Sequence, residues 1–174
     1  MWKNQNWDRQ YKERLGDNVF NFLEKDRNII EYLSDLDWIW KNLKSQARNW
    51  QLSDYSLLVL TICKIFEGVL FLLTREMGWF NKYNNGKEPD NIRSFLLNYR
   101  KNIEQEINSN TNLSNEKRQE IKDKFFSIIN DFRERHKAVH YGSLLKIGEV
   151  DNYDAILTKI KELISIFLDN NLLS

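Results

Sequence analysis

An all-α fold is what this sequence predicts, on three observations. The 174 residues contain six glycines and one proline, too few for an architecture of strands and tight turns. Apolar residues recur at spacings of three, four and seven along most of the chain, the period of one face of a helix. Hydrophobic residues make up 41% and charged residues 29%, the balance of a chain that folds around a core. The expected architecture is a helical bundle of four to five main helices joined by short links.

The elements follow in order. Residues 1–16 mix Trp2, Trp7 and Tyr11 with charges and read as an appendage or a short helix packed on the domain formed by residues 17–174. The first main helix is expected from about Asp17 to Lys44, with Phe20, Leu23, Ile30, Leu33, Leu36 and Ile39 as its apolar face and Asp17 or Asn18 as its cap. The second starts after Ser53 and continues to about Trp79, hydrophobic nearly all round, as a central bundle member is. Residues 81–90, NKYNNGKEPD, carry the only proline and read as a loop. The third helix is expected over 91–108 with Ile92, Phe95, Leu96, Tyr99, Ile103 and Ile107 as its stripe. After a turn capped by Ser114, the fourth runs from about Asn115 to Tyr141 and stops at Gly142. The last spans 151–169, its core face formed by Ile156, Ile160, Leu163, Ile164 and Phe167.

Composition also excludes classes of function. Lys and Arg total 26 against 25 Asp and Glu, so no global charge draws the chain to nucleic acid, and any anion site must be a local cluster. Cys63 is the single cysteine, which rules out an internal disulfide and a cysteine-based zinc site, and its apolar surroundings make it a small buried hydrophobe. The N-terminus, MWKNQNWDRQ, has no apolar signal region. The segment 57–74 is the most hydrophobic, but Lys64 and Glu67 near its middle would each cost about 2.5–3.5 kcal/mol at a bilayer centre. A cytoplasmic protein with no membrane association, no metal and no cofactor is expected. Of the six tryptophans, Trp38, Trp40, Trp50 and Trp79 fall in or beside helical core patterns and are expected to pack, whereas Trp2 and Trp7 have no such place.

Chemistry concentrates in one stretch. Residues 132–142, FRERHKAVHYG, hold both histidines of the chain, four residues apart, behind Arg133 and Arg135. On a wheel of about 3.6 residues per turn, His136 continues the stripe of Phe125, Ile129 and Phe132, and His140 follows one turn on. Arg133 shares the side of His140, roughly 10 Å away along the axis, while Arg135 lies about 140° round. Arg135 reaches His140 only if the helix loosens before Gly142 or if a second subunit completes the site. An imidazole moves protons at neutral pH and a guanidinium presents a fork of donors to phosphate oxygens. Together they supply what cleavage of RNA requires without a metal, because the nucleophile, the 2′-hydroxyl, belongs to the substrate. The alternative is that arginine and histidine near a helix end simply complement its dipole.

The string Arg135-His136-Lys137-Ala138-Val139-His140 resembles the signature of the HEPN superfamily, an arginine, a polar residue, three further residues and a histidine. The looser form of that pattern admits Arg133. The resemblance implies a helical bundle that pairs as a homodimer and cuts RNA, often as a toxin or phage-defence nuclease restrained by an antitoxin or another regulatory protein. It implies His140 as general acid or base, Arg135 as the phosphate-binding partner and His136 as the supporting polar residue, with Arg133, Lys137 and Tyr141 as neighbouring substrate contacts. Some members carry a tyrosine two residues after the histidine; Gly142 stands there, so regulation through that tyrosine does not transfer to Tyr141. Glu67 in the second helix is a further candidate, paired either with a motif arginine or with Lys64 on its own face; Gly68 beside it permits close helix approach. Two other functions fit the same residues: a non-cutting module that binds RNA or a nucleotide, and a helical antitoxin or scaffold that binds protein.

Overall fold

The computed structural model of this chain describes residues 5–46, 56–140 and 153–173, with the side chains of 7–42, 60–130 and 154–173. The described residues are helix and turn throughout, with no strand. In order they form α1 (Gln5–Leu15), α2 (Asp17–Leu23), α3 (Arg27–Gln46), α4 (Ser56–Glu76), α5 (Trp79–Asn84), α6 (Ile92–Asn98), α7 (Arg100–Ser109), α8 (Asn115–His140) and α9 (Tyr153–Asp169). None of the helices is long and apolar enough to cross a membrane, among the described residues.

Three expected helices are interrupted, each for a local reason. The expected first helix breaks after Leu23, because Lys25 and Asp26 turn their N–H groups onto the carbonyls of Phe22 and Leu23 in a tighter turn. Asp26 then starts α3, its carboxylate accepting from the N–H of Asn28 at 3.2 Å. The apolar period stays in phase across this break, which is why Phe20, Leu23, Ile30, Leu33 and Leu36 all reach the core although two helices carry them. Neither Asp17 nor Asn18 caps α2; Gly16 does, at φ 86°, a left-handed conformation that suits a residue without Cβ. Gly78, at φ 69°, likewise ends α4 and starts α5, so helix continues to Asn84 in a stretch expected to be loop from residue 81. The expected third helix divides at Tyr99, which has ψ 13° and joins α6 to α7.

Other expectations are met. Ser114 caps α8, its Oγ accepting from the N–H of Lys117 at 3.2 Å. Replacing it with alanine is expected to cost about 1 kcal/mol, read as a lower unfolding midpoint. All five core residues expected for the last helix are buried, and so is Cys63. The N-terminal segment is a helix whose Tyr11 and Leu15 are each 1% exposed, so α1 contributes to the same core as the rest. Trp7 is half-buried and stacks on Tyr11 with ring centroids 6.2 Å apart. Trp79 is fully buried and Trp40 partly so, but Trp38 corrects the expectation: it is 63% exposed, on the solvent side of α3. Trp50 lies outside the described residues.

The core is organised by α4, which packs against α3 on one side and α8 on the other. The first contact is close at Gly68, where an added Cβ would sit 2.9 Å from Cγ1 of Ile29. Gly68→Ala already forces Ile29 to shift, and because that side chain is β-branched and buried the change is expected to be mildly destabilising. Gly68→Val overpacks the seam and is expected to lower stability by about 1–3 kcal/mol in chemical denaturation. On the other side, Phe125 of α8 meets Trp79 at 5.5 Å edge-on and Phe167 at 5.8 Å, which ties α5, α8 and α9 together. Helices α8 and α9 run antiparallel, as the ion pair between Lys124 and Glu162 at 3.0 Å and the proximity of Lys117 to Asp169 require.

Candidate functional site

The motif occupies the end of the longest helix among those described. Helical backbone continues through His140, so Arg133, Arg135, His136, Lys137 and His140 stand on the last turns of α8. Their side chains, and Tyr141 and Gly142 altogether, lie outside the described residues. The regular helix settles one point of geometry. Positions 133 and 140 are two turns apart on one side, roughly 10 Å along the axis, whereas position 135 is about 140° round from 140. The helix does not loosen before His140, so one copy of α8 brings 133 and 140 to a common side, and 135 to a different one.

Glu67 is placed in full. It is partly buried on α4, and its Oε2 accepts from Nζ of Lys64 at 3.0 Å, the local pair one turn away. That bond, and then the attraction of the carboxylate, hold the Lys64 ammonium above its ordinary range, against a smaller cost of burial. The tyrosine Tyr32 of α3 faces the same lysine. With the Glu67 side chain 28% exposed and its partner 50%, solvent screens the pair, and Glu67→Gln is expected to change stability by less than about 1 kcal/mol in thermal unfolding.

Sequence reading missed a groove beside α8. A hollow of about 490 Å³ runs between α7 and α8, lined by Arg100, Glu104, Lys122, Asp123, Phe126 and Asn130 among others. Its polar walls are mostly self-satisfied: Arg100 donates to Glu104 at 2.7 Å while its guanidinium lies 4.5 Å above the ring of Phe126, and Lys122 donates to Asn108 at 3.0 Å. The groove reaches Asn130, about one turn before Arg133, so it opens along α8 towards the motif. No periodic signal announces it, because its two walls lie on different helices, 15 residues or more apart in sequence.

No family model, no curated protein and no solved structure matches this chain. The site therefore has to be read from its own chemistry. Among the described residues no group of three or more His, Cys, Asp or Glu side chains is arranged to hold a metal ion. What the end of α8 offers is two imidazoles and two guanidiniums within about two turns of one helix.

Proposed function

We propose that this chain is a metal-independent endoribonuclease of HEPN type, acting as a homodimer in a toxin or phage-defence role. The observation that carries the reading is the R-H-x-x-x-H string at the end of α8, the longest of the described helices, in a chain whose described residues form no strand. In the proposed reaction an imidazole, that of His140, takes the proton of the ribose 2′-hydroxyl. The 2′-oxygen attacks the adjacent phosphorus, the bond to the 5′-oxygen breaks, and that oxygen leaves with a proton returned by a protonated imidazole. The products are a 2′,3′-cyclic phosphate and a 5′-hydroxyl. Arginine stabilises the charge that builds on the phosphoryl oxygens, a role for which its planar, permanently charged fork is suited.

The angular separation of positions 135 and 140 favours assembly. A phosphate gripped by Arg135 beside His140 is best reached when a second α8 is brought against the first, so that the arginine of one copy serves the histidine of the other. A nuclease of this kind is harmful to its own cell, and the proposal includes an antitoxin or regulatory protein as partner. The test is incubation of purified protein with end-labelled single-stranded RNA in excess EDTA. Cleavage is expected, with new 5′ ends that polynucleotide kinase phosphorylates directly and 3′ ends that resist tailing until the cyclic phosphate is removed. A strict requirement for a divalent metal, or equal cleavage of the corresponding DNA, overturns the reading. Binding of RNA with no product would instead support the non-cutting module.

A further inference from the structure

The groove between α7 and α8 shares a side of α8 with the motif. Lys122, Phe126 and Asn130 line it, and at about 100° per residue Lys122 and Asn130 fall within about 40° of Phe126. Positions 133, 137 and 140 continue that stripe in steps of three and four, again within about 40°. Position 135 stands on the opposite side of the regular helix. A strand laid along the groove therefore runs on to position 140, about 21 Å beyond Phe126.

The walls decide which part of a strand the groove takes. The ring of Phe126 is 5% exposed and the Arg100 guanidinium lies 4.5 Å above it, so the guanidinium is the outer layer of that pair. The Arg100 side chain is 48% exposed, and Glu104 accepts from its Nε at 2.7 Å, which fixes the plane. A planar cation held in this way presents a face on which a nucleobase stacks. Glu104 on one wall and Asp123 on the other repel phosphate oxygens, whereas a carboxylate accepts from the amino group of a base. Asp123 is exposed, and its Oδ1 accepts from Gln119 at 2.7 Å. The volume of about 490 Å³ is that of a site for a small molecule rather than for a helix of a protein partner. A duplex keeps its bases in the stack, while a single strand can splay one out.

We propose that the groove between α7 and α8 holds an unstacked base of single-stranded RNA, laid on the Arg100 guanidinium with its amino edge towards Asp123. The inference deepens the nuclease reading and rests on it for the course of the strand towards position 140. The base site itself is tested by binding alone.

The experiment is fluorescence anisotropy of short labelled oligoribonucleotides with full-length His140→Ala protein, in which the proposed cleavage is blocked and the RNA stays whole. Oligo(C) is expected to bind more tightly than oligo(U), which has no amino group, and Asp123→Ala is expected to narrow that difference. Arg100→Lys keeps the charge but loses the plane, and is expected to weaken oligo(C) binding about tenfold, the size of one lost stacking contact. Arg100 is exposed, so the variant should unfold at the same midpoint as its parent. An Arg100→Lys affinity equal to the parent's, equal binding of oligo(C) and oligo(U), or duplex RNA bound as tightly as single strands overturns the proposal and leaves the groove to another occupant, such as a protein partner. Oligo(C) binding that depends on Arg100, with no cleavage by the wild type, would sink the nuclease reading and keep the base site. Cleavage with a KM that Arg100→Lys does not change would do the reverse.

Discussion

His140→Ala is expected to lower kcat for RNA cleavage by about 10²–10⁴-fold, the contribution of a positioned general acid or base. The loss should appear in single-turnover assays at saturating RNA, with binding measured separately by anisotropy and little altered. Imidazole is the group that counts, because its proton exchange falls near neutral pH and no other side chain on the last turns of α8 shares that property. Arginine substitutions should separate the two guanidiniums. Arg135→Ala and His140→Ala, each inactive alone, should recover part of the activity when mixed if the arginine of one subunit serves the histidine of the other, and none if both act within a single chain. Cleavage undiminished in His140→Ala would remove the nuclease reading.

Phe125→Ala carries the largest expected effect on stability. The ring is fully buried and touches Trp79, Phe126 and Phe167 at centroid distances of 5.5, 5.3 and 5.8 Å. Its removal leaves a cavity where three helices meet, and the cost of such truncations is about 3–5 kcal/mol. For a chain of this size that corresponds to a fall of roughly 10 °C in the unfolding midpoint, about 2–4 °C for each kcal/mol. Phe125→Leu keeps most of the volume and should cost well under half as much. Because Phe125 anchors α8 three turns before His136, the alanine variant should also reduce cleavage at temperatures where the protein is still folded. An unfolding midpoint within about 2 °C of wild type would mean that the seam between α5, α8 and α9 is not the keystone described.

Much of the fold was legible in the spacing of apolar residues, and each exception has a physical cause. Periodicity reports which side chains are buried, so it found Ile30, Leu33 and Leu36, and Ile156, Ile160 and Leu163, without error. It is blind to whether the backbone between two in-phase turns is continuous. The break after Leu23 and the division at Tyr99 were missed because the apolar phase survived them, whereas the helix from Trp79 to Asn84 was missed because its second half belongs to a stretch rich in turn-forming residues. Trp38 failed differently. It falls beside a core pattern but is largely exposed to solvent, and only the packing of α3 on its neighbours decides which side of a tryptophan-bearing turn is inside.

The candidate site divides in the same way. The residue types of the motif, the histidine spacing and the end of a long helix belong to the local sequence, since a helix places residues three and four apart on one side whatever surrounds it. The choice of Lys64 as the partner of Glu67 was also open to local reasoning, being one turn away. The groove between Arg100 and Asn130 was not. That juxtaposition depends on how α7 and α8 lie against each other, and such registers are set by a few close contacts between helices, Arg100 over Phe126 here and Gly68 on Ile29 between α4 and α3 among them. Chain chemistry thus determined the helices and the reactive groups they carry, while side-chain packing between segments far apart in sequence decided which of those groups stand together, because close packing admits few alignments of one helix on another.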